Sequence, residues 1–191
     1  MTALRNINKS FGHKRVLTDF SHGFERGSRT CIMGVSGGGK TTLLNILMGL
    51  IKPDSGEIIN APKKISAVFQ EDRLCEPYSA VKNILAVTGK LVNNEKIIAI
   101  LDDLGLSGSE HIAVKSLSGG MRRRVALARA LLAESEMVIL DEPFKGLDEE
   151  TRERVIGVLL RNLNGRTLIV ATHDARDIIA LDAEVVVLPF D

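Results

Sequence analysis

Residues 34–41 constrain this chain more than any other segment. Gly34-Val35-Ser36-Gly37-Gly38-Gly39-Lys40-Thr41 lies between the apolar run Thr30 to Met33 and the stretch Thr41 to Ile51, whose apolar residues fall at 43, 44, 47, 48 and 51. The short run is too short for a helix and predicts a buried strand, while the second has the helical period. A strand running through a glycine-rich turn into a helix is a built anion site. The glycines let the backbone curl so that successive N–H groups face one point. The helix start adds a partial positive charge of about half an elementary charge. The spacing of Gly, four residues, Gly, Lys and Thr fits a phosphate-cradling loop, and an incidental turn would not need both flanking elements. In that reading Lys40 reaches the β- and γ-phosphates and the Thr41 hydroxyl binds Mg²⁺.

The same alternation continues down the chain. Ile65 to Phe69, Met137 to Leu140, Thr167 to Ala171 and Glu184 to Leu188 are short apolar runs that predict buried strands. Between them, Met121 to Leu132 has apolar residues at 121, 125, 128, 131 and 132, and Glu149 to Leu163 at 155, 156, 159, 160 and 163. Leu43, Leu44 and Leu47 read as core. Doubly buried strands alternating with amphipathic helices predict an α/β fold with a mostly parallel sheet. The first thirty residues are polar-interrupted and turn-rich, and predict short antiparallel strands at one side. From about Arg73 to Lys115 there is no strong strand, and Asn93 to Leu104 carries Ile97, Ile98, Leu101 and Leu104 at helical spacing. This region reads as a helical subdomain, about 73–135, inserted in a single domain spanning 1–191.

A second chemical feature ends the run Met137-Val138-Ile139-Leu140. Asp141 and Glu142 place two carboxylates at the end of a buried strand, which is costly unless a cation pairs with them. Asp141 is the expected metal ligand. Strand alternation points Glu142 to the opposite side, where it would polarise an attacking water. His173 follows the strand Thr167 to Ala171, at the sheet edge where ligands of such folds bind, and could contact a γ-phosphate. His13, His22 and His111 have no such context.

Composition removes other classes. With 25 Lys and Arg against 24 Asp and Glu, the formal charge of +1 gives no electrostatic reason to expect nucleic acid. Aromatics are 4% with no Trp, so a base-stacking surface is not expected. Arg122, Arg123 and Arg124 are consecutive on a predicted helix and spread round it, which predicts a solvated or salt-bridged face and not one basic patch. No run approaches the 18 or more apolar residues of a membrane span, and Met1 to Asn6 does not resemble a signal peptide. Cys31 and Cys75 form no framework, which fits a reducing cytosol, and Cys31 in Cys31-Ile32-Met33 predicts a buried small hydrophobe.

Leu117-Ser118-Gly119-Gly120-Met121 opens another helix with a capping Ser and two glycines, a second anion-seeking N-terminus. With its continuation to Leu131 it resembles the signature of ATP-binding-cassette ATPases, whose usual form ends in Gln where Met121 stands. The resemblance runs from about residue 3 to 188. It implies a P-loop NTPase core with ATP and Mg²⁺ as cofactors. Phe11 would stack on adenine, with Gly34, Val35, Ser36, Gly37, Gly38, Gly39, Lys40, Thr41 and Thr42 as nucleotide contacts. Thr41, Gln70 and Asp141 would serve the metal, and Glu142, His173 and Lys40 catalysis. Leu117, Ser118, Gly119, Gly120 and Met121 would act across a head-to-tail homodimer, or a heterodimer with a similar subunit. Asp148, in Gly146-Leu147-Asp148, would communicate across that dimer, although Lys145 stands where a small residue is usual.

The resemblance further implies a transport ATPase with separate transmembrane permease subunits, cytoplasmic and peripheral on the cytoplasmic face of the membrane. Gln70-Glu71-Asp72-Arg73-Leu74 and the Met-ending signature resemble prokaryotic importers of nitrate, sulfonates and taurine. The short stretch after His173 predicts no C-terminal regulatory domain. An ATPase of the same family driving a mechanical or lipoprotein-release complex remains open, as does a small-molecule kinase, which would give residues 117–121 no role.

Overall fold

The computed structural model describes residues 1–188, the side chain of Lys90 apart, so the last three residues of the predicted 1–191 domain lie outside the described residues. Chain order gives β1 (Thr2–Phe11), β2 (Lys14–Phe24), β3 (Arg29–Met33), α1 (Lys40–Leu47), β4 (Ser55–Ile59), β5 (Ile65–Val68), α2 (Ala80–Thr88) and α3 (Asn94–Asp103). It continues with α4 (Gly119–Leu132), β6 (Met137–Asp141), α5 (Glu149–Arg161), β7 (Thr167–Ala171), α6 (Ala175–Leu181) and β8 (Glu184–Val187). Strands β5-β6-β7-β3-β8 form a sheet in that order, and every pairing in it is parallel. Strands β2-β1-β4 form a separate antiparallel sheet.

Side-chain alternation along the buried strands divides the core in two. Met137, Ile139 and Ile169 face α1 residues Leu43, Leu44, Ile46 and Leu47, which in turn pack under Leu4, Ile7, Leu17 and Phe24 of the antiparallel sheet. Val138, Leu140, Leu168 and Val170 face the other way, onto Leu127 of α4 and Val155 and Leu159 of α5. α1 is therefore held between two sheets, and each fully buried Leu contributes about 1.5–3 kcal/mol. Cys31 is fully buried, as expected, and burial, with Asp177 nearby, pushes its thiol up to about 12.

The parallel sheet and helices follow the apolar periodicity, but several boundaries and elements differ. α1 ends at Leu47, short of the predicted Ile51, because Gly49 at φ 70 turns the chain. Ile51 keeps the helical spacing only because the turn folds it back onto the core. Likewise α5 stops at Arg161 while Leu163 still packs inward. The N-terminal strands are longer than expected, 10 and 11 residues. Register shifts along β1, with Asn6 and Asp19 at positive φ, break their alternation and explain the polar interruptions. β4 and α6 were not predicted, and α2 falls within the stretch expected to be helical without being singled out: β4 is a mostly exposed edge strand, and the two helices are short.

One buried ion pair joins the last two helices. Arg152 of α5 donates through Nε (3.0 Å) and Nη2 (2.5 Å) to Asp177 of α6, with side chains only 6% and 4% exposed. The Thr172 hydroxyl donates to the other Asp177 oxygen. Breaking such a pair strands a buried charge. Arg152→Ala is expected to cost about 3–5 kcal/mol in urea unfolding, and Arg152→Ala with Asp177→Ala to cost less than the sum of the two single changes.

Candidate active site

The carboxyl ends of β3, β6 and β7 converge on one cleft of about 500 Å³. Its lining brings together Phe11, Ser36, Gly37, Gly39, Lys40, Thr41, Thr42, Gln70, Asp141, Glu142 and His173. Gly34, Val35 and Gly38 do not line it but shape the loop that does. Gly38 N–H donates to the Val35 carbonyl at 3.1 Å, closing the turn. Lys40 is 7% exposed, and its ammonium donates to the Gly34 and Val35 carbonyls at 2.7 and 3.0 Å. Gly39 caps α1 at φ 93, and a Cβ there would stand 2.8 Å from the Val16 carbonyl oxygen, so this position has neither the conformation nor the room for a side chain. No side chain caps α1 and its first turn has no acid, which leaves its N–H groups for an external anion.

Thr41 at the start of α1 donates from its hydroxyl to Asp141 at 2.7 Å, across the gap between loop and sheet. Burial raises the Asp141 carboxyl, and the neighbouring Glu142 adds to it, while Thr41, Lys40 and Arg123 oppose the shift. A hydroxyl and a buried carboxylate side by side form a hard-oxygen pair suited to a divalent cation such as Mg²⁺. Gln70, just past β5, lines the same cleft.

Glu142 departs from the sequence expectation. It lies one residue beyond β6 at φ 50, with its N–H bonded to the Ala171 carbonyl at 2.9 Å, so the alternation that pointed it away from Asp141 ends before it. Both residues line the cleft. The Glu142 side chain is 14% exposed and meets His173 Nδ1 at 2.8 and 3.0 Å. His173 is the open member of the pair, 64% exposed.

Two predicted groups lie elsewhere on the chain. None of residues 117–121 lines the cleft. Ser118 caps α4, accepting from Met121 N–H at 3.2 Å, and it and Gly119 are exposed. Asp148 caps α5, and hydrogen bonds from the Thr151 N–H (2.9 Å) and hydroxyl (2.8 Å) hold its carboxyl below the usual range.

Three features were not foreseen. Lys14, at the β1–β2 hairpin, and Lys145 line the cleft, with no motif to mark the first. The arginine run does spread round α4, and of the solvated or salt-bridged face expected, the salt bridge is present at Arg123, while all three guanidiniums also bond main-chain carbonyls. Arg122 donates to the Leu117 carbonyl, Arg123 to those of Phe69 and Gln70, and Arg124 to those of Leu104 and Gly105. Arg123, also ion-paired with Asp72, is 8% exposed; carbonyls left without sheet partners recruited it inward. Third, an apolar groove of about 880 Å³ runs past Phe69, Val87, Leu91 and Ala130, rimmed by Lys63, Lys64 and Lys96.

The ABC transporter family model matches residues 17–145. The aliphatic sulfonates import ATP-binding protein SsuB 1 of Pseudomonas syringae pv. tomato is 40% identical over 189 residues, covering 97% of this chain and 69% of that protein. The taurine import ATP-binding protein TauB of Escherichia coli O157:H7 is 34% identical, covering 98% and 79%. Among solved structures, the dimeric bacterial ABC transporter cassette MJ0796 superposes with a TM-score of 0.85 at 28% identity, covering 98% of this chain and 94% of the other.

Gly39→Ala tests the loop geometry. It forces a non-glycine residue to φ 93 against Val16, a strain of about 1–3 kcal/mol that the loop relieves by shifting. The expected result is at least a roughly ten-fold weaker affinity for a nucleoside triphosphate by calorimetry, with the fold retained by circular dichroism.

Proposed function

Because the chain belongs to the ABC transporter family, we propose that it is the ATP-binding and ATP-hydrolysing subunit of an importer for small solutes of the sulfonate and taurine kind. It acts as a dimer, on the cytoplasmic face of a membrane, beneath separate transmembrane subunits. No helix among the described residues is long and apolar enough to cross a membrane. The observation that carries the reading is the juxtaposition in one cleft of a phosphate loop, the Thr41–Asp141 pair and the Glu142–His173 pair.

Each residue has a distinct task. Phe11, 51% exposed beside the cleft, offers its ring to the adenine. The loop from Gly34 to Thr42 wraps the phosphates, and Lys40 neutralises their charge. Thr41, Asp141 and Gln70 would hold Mg²⁺, which supplies charge neutralisation on the phosphates when bound. Glu142 accepts a proton from the attacking water as its oxygen bonds to the γ-phosphorus, and the bond from that phosphorus to the bridging oxygen breaks, giving ADP and phosphate. His173 orients the Glu142 carboxylate through Nδ1 and keeps Nε2 for the γ-phosphate.

Leu117 to Met121 serve the partner's nucleotide: α4 begins with open N–H groups outside its own cleft. Asp148, the exposed cap of α5, is assigned the communication across that dimer. The segment 73–135, with α2, α3 and α4, acts as the helical subdomain. The apolar groove between these helices and β5, rimmed by Lys63 and Lys96 and by Lys64 in its pair with Glu134, suits an amphipathic cytoplasmic segment of the transmembrane subunit.

Glu142→Gln is expected to keep ATP affinity, lower hydrolysis at least about a hundred-fold, and accumulate an ATP-bound dimer by size-exclusion chromatography. Hydrolysis at the parental rate would remove Glu142 as the base. Lys40→Ala and Ser118→Arg should each be inactive alone. Mixed, they should regain activity through one composite site per heterodimer, and heterodimers shown to form without recovery would refute the cross-subunit arrangement.

A further inference from the structure

The five residues after β5 have no place in the sheet. β5 ends at Val68, and the chain then runs through Phe69-Gln70-Glu71-Asp72-Arg73 before reaching α2. Four of their five carbonyls are nevertheless bonded, all by two arginines of α4. Arg123 donates from Nη1 to Phe69 O at 2.5 Å and from Nη2 to Gln70 O at 2.7 Å. Arg129 donates from Nη2 to Asp72 O at 3.1 Å and from Nη1 to Arg73 O at 2.9 Å. The Asp72 carboxylate closes the arrangement with an ion pair to Arg123 at 3.2 Å. Arg73, at φ 47, lays its guanidinium 3.7 Å from the centroid of the Phe69 ring.

A guanidinium buried in this way is a fork with fixed geometry, and it holds two adjacent carbonyls at a set spacing, as an ammonium could not. Arg123 lies in the second turn of α4, about 7 Å along the axis from the Ser118 cap. The helix between them is continuous, so a displacement at one end is delivered to the other.

We infer that Arg123 is a positioning residue that staples the Gln70 segment to the helix opening with Ser118, so that the group lining one nucleotide cleft and the surface presented to the partner's nucleotide move as one body. Arg129 and Asp72 complete the staple. The consequence for catalysis rests on the ATPase reading above; the staple itself does not.

The test uses the full chain without nucleotide, then with it. Trypsin cleavage after Arg73, followed by mass spectrometry, reads the opening of this segment. Arg123→Ala should raise the rate at that bond at least about ten-fold, because two charge-assisted hydrogen bonds are lost. Arg123→Lys keeps the charge but not the fork and should fall between. With ATP, Arg123→Ala should lower kcat about ten-fold or more while KM changes less than about two-fold, since Gln70 is misplaced but the phosphate loop is intact. Arg123→Lys should restore part of that kcat.

Unchanged cleavage at Arg73 in Arg123→Ala would overturn the inference, as would faster cleavage with parental kcat. If Arg123→Ala does not fold, Arg123→Lys decides by the same two readouts. A parental chain without ATPase activity would strike the functional reading instead, and the cleavage comparison would still decide the staple.

Discussion

The carboxylate of Asp141 stands at the end of a strand whose five residues are all buried, and the site is organised around offsetting that charge. Thr41 bonds it from the helix that follows the phosphate loop, and Lys40 and Arg123 lie close enough to favour its ionised form. Burial still dominates, with Glu142 beside it adding to the cost. The two cations that favour the ionised Asp141, Lys40 and Arg123, are themselves committed to carbonyl oxygens, so the carboxylate gains from a further cation brought with a ligand. The loop offers the complementary charge: exposed glycine backbone and an uncapped helix start await an anion. The two halves carry opposite charge preferences, and the metal-bound polyphosphate proposed above would satisfy both.

Much of this was legible in the sequence because it depends on local rules. The parallel strands announce themselves as short apolar runs, and the phosphate loop by glycines at positions that need positive φ, Gly37 and Gly39 among them. The residues that line the cleft fall at strand ends, which a period-two reading locates within a residue. What was lost lies where a local rule stops at an element boundary. Ile51 kept the helical spacing past the true end of α1 at Leu47, because apolar spacing reports burial and Gly49 ended the helix independently of it. Strand alternation predicts a direction for Glu142 one residue beyond the end of β6, where φ 50 has already left the extended conformation.

The arginines of α4 were illegible for a different reason. From sequence, Arg122, Arg123 and Arg124 are three long cations on a helix, and solvent or a salt bridge is the default for each. Their partners are main-chain carbonyls at 117, 69–70 and 104–105, which no side-chain pattern encodes. Only the tertiary fold creates unpaired carbonyls at those places, and a buried guanidinium is then the residue able to serve two at once.

Two such anchors flank the cleft, and together they explain how a small site can be connected to distant surfaces. On one side Arg123 ties the Gln70 segment to α4, which opens at Ser118. On the other Arg152, from the helix capped by Asp148, holds Asp177, which accepts from Thr172 immediately before His173. The loops that deliver Gln70 and His173 to the cleft are thus each fixed to a helix whose first turn does not line it. Pulling either partner out of such a pair strands a charge in the interior, which is what holds each loop against its helix. A bound polyphosphate that shifted Gln70 or His173 by an ångström would have to move α4 or α5 with it, and the exposed helix starts at Ser118 and Asp148 are where that movement would emerge.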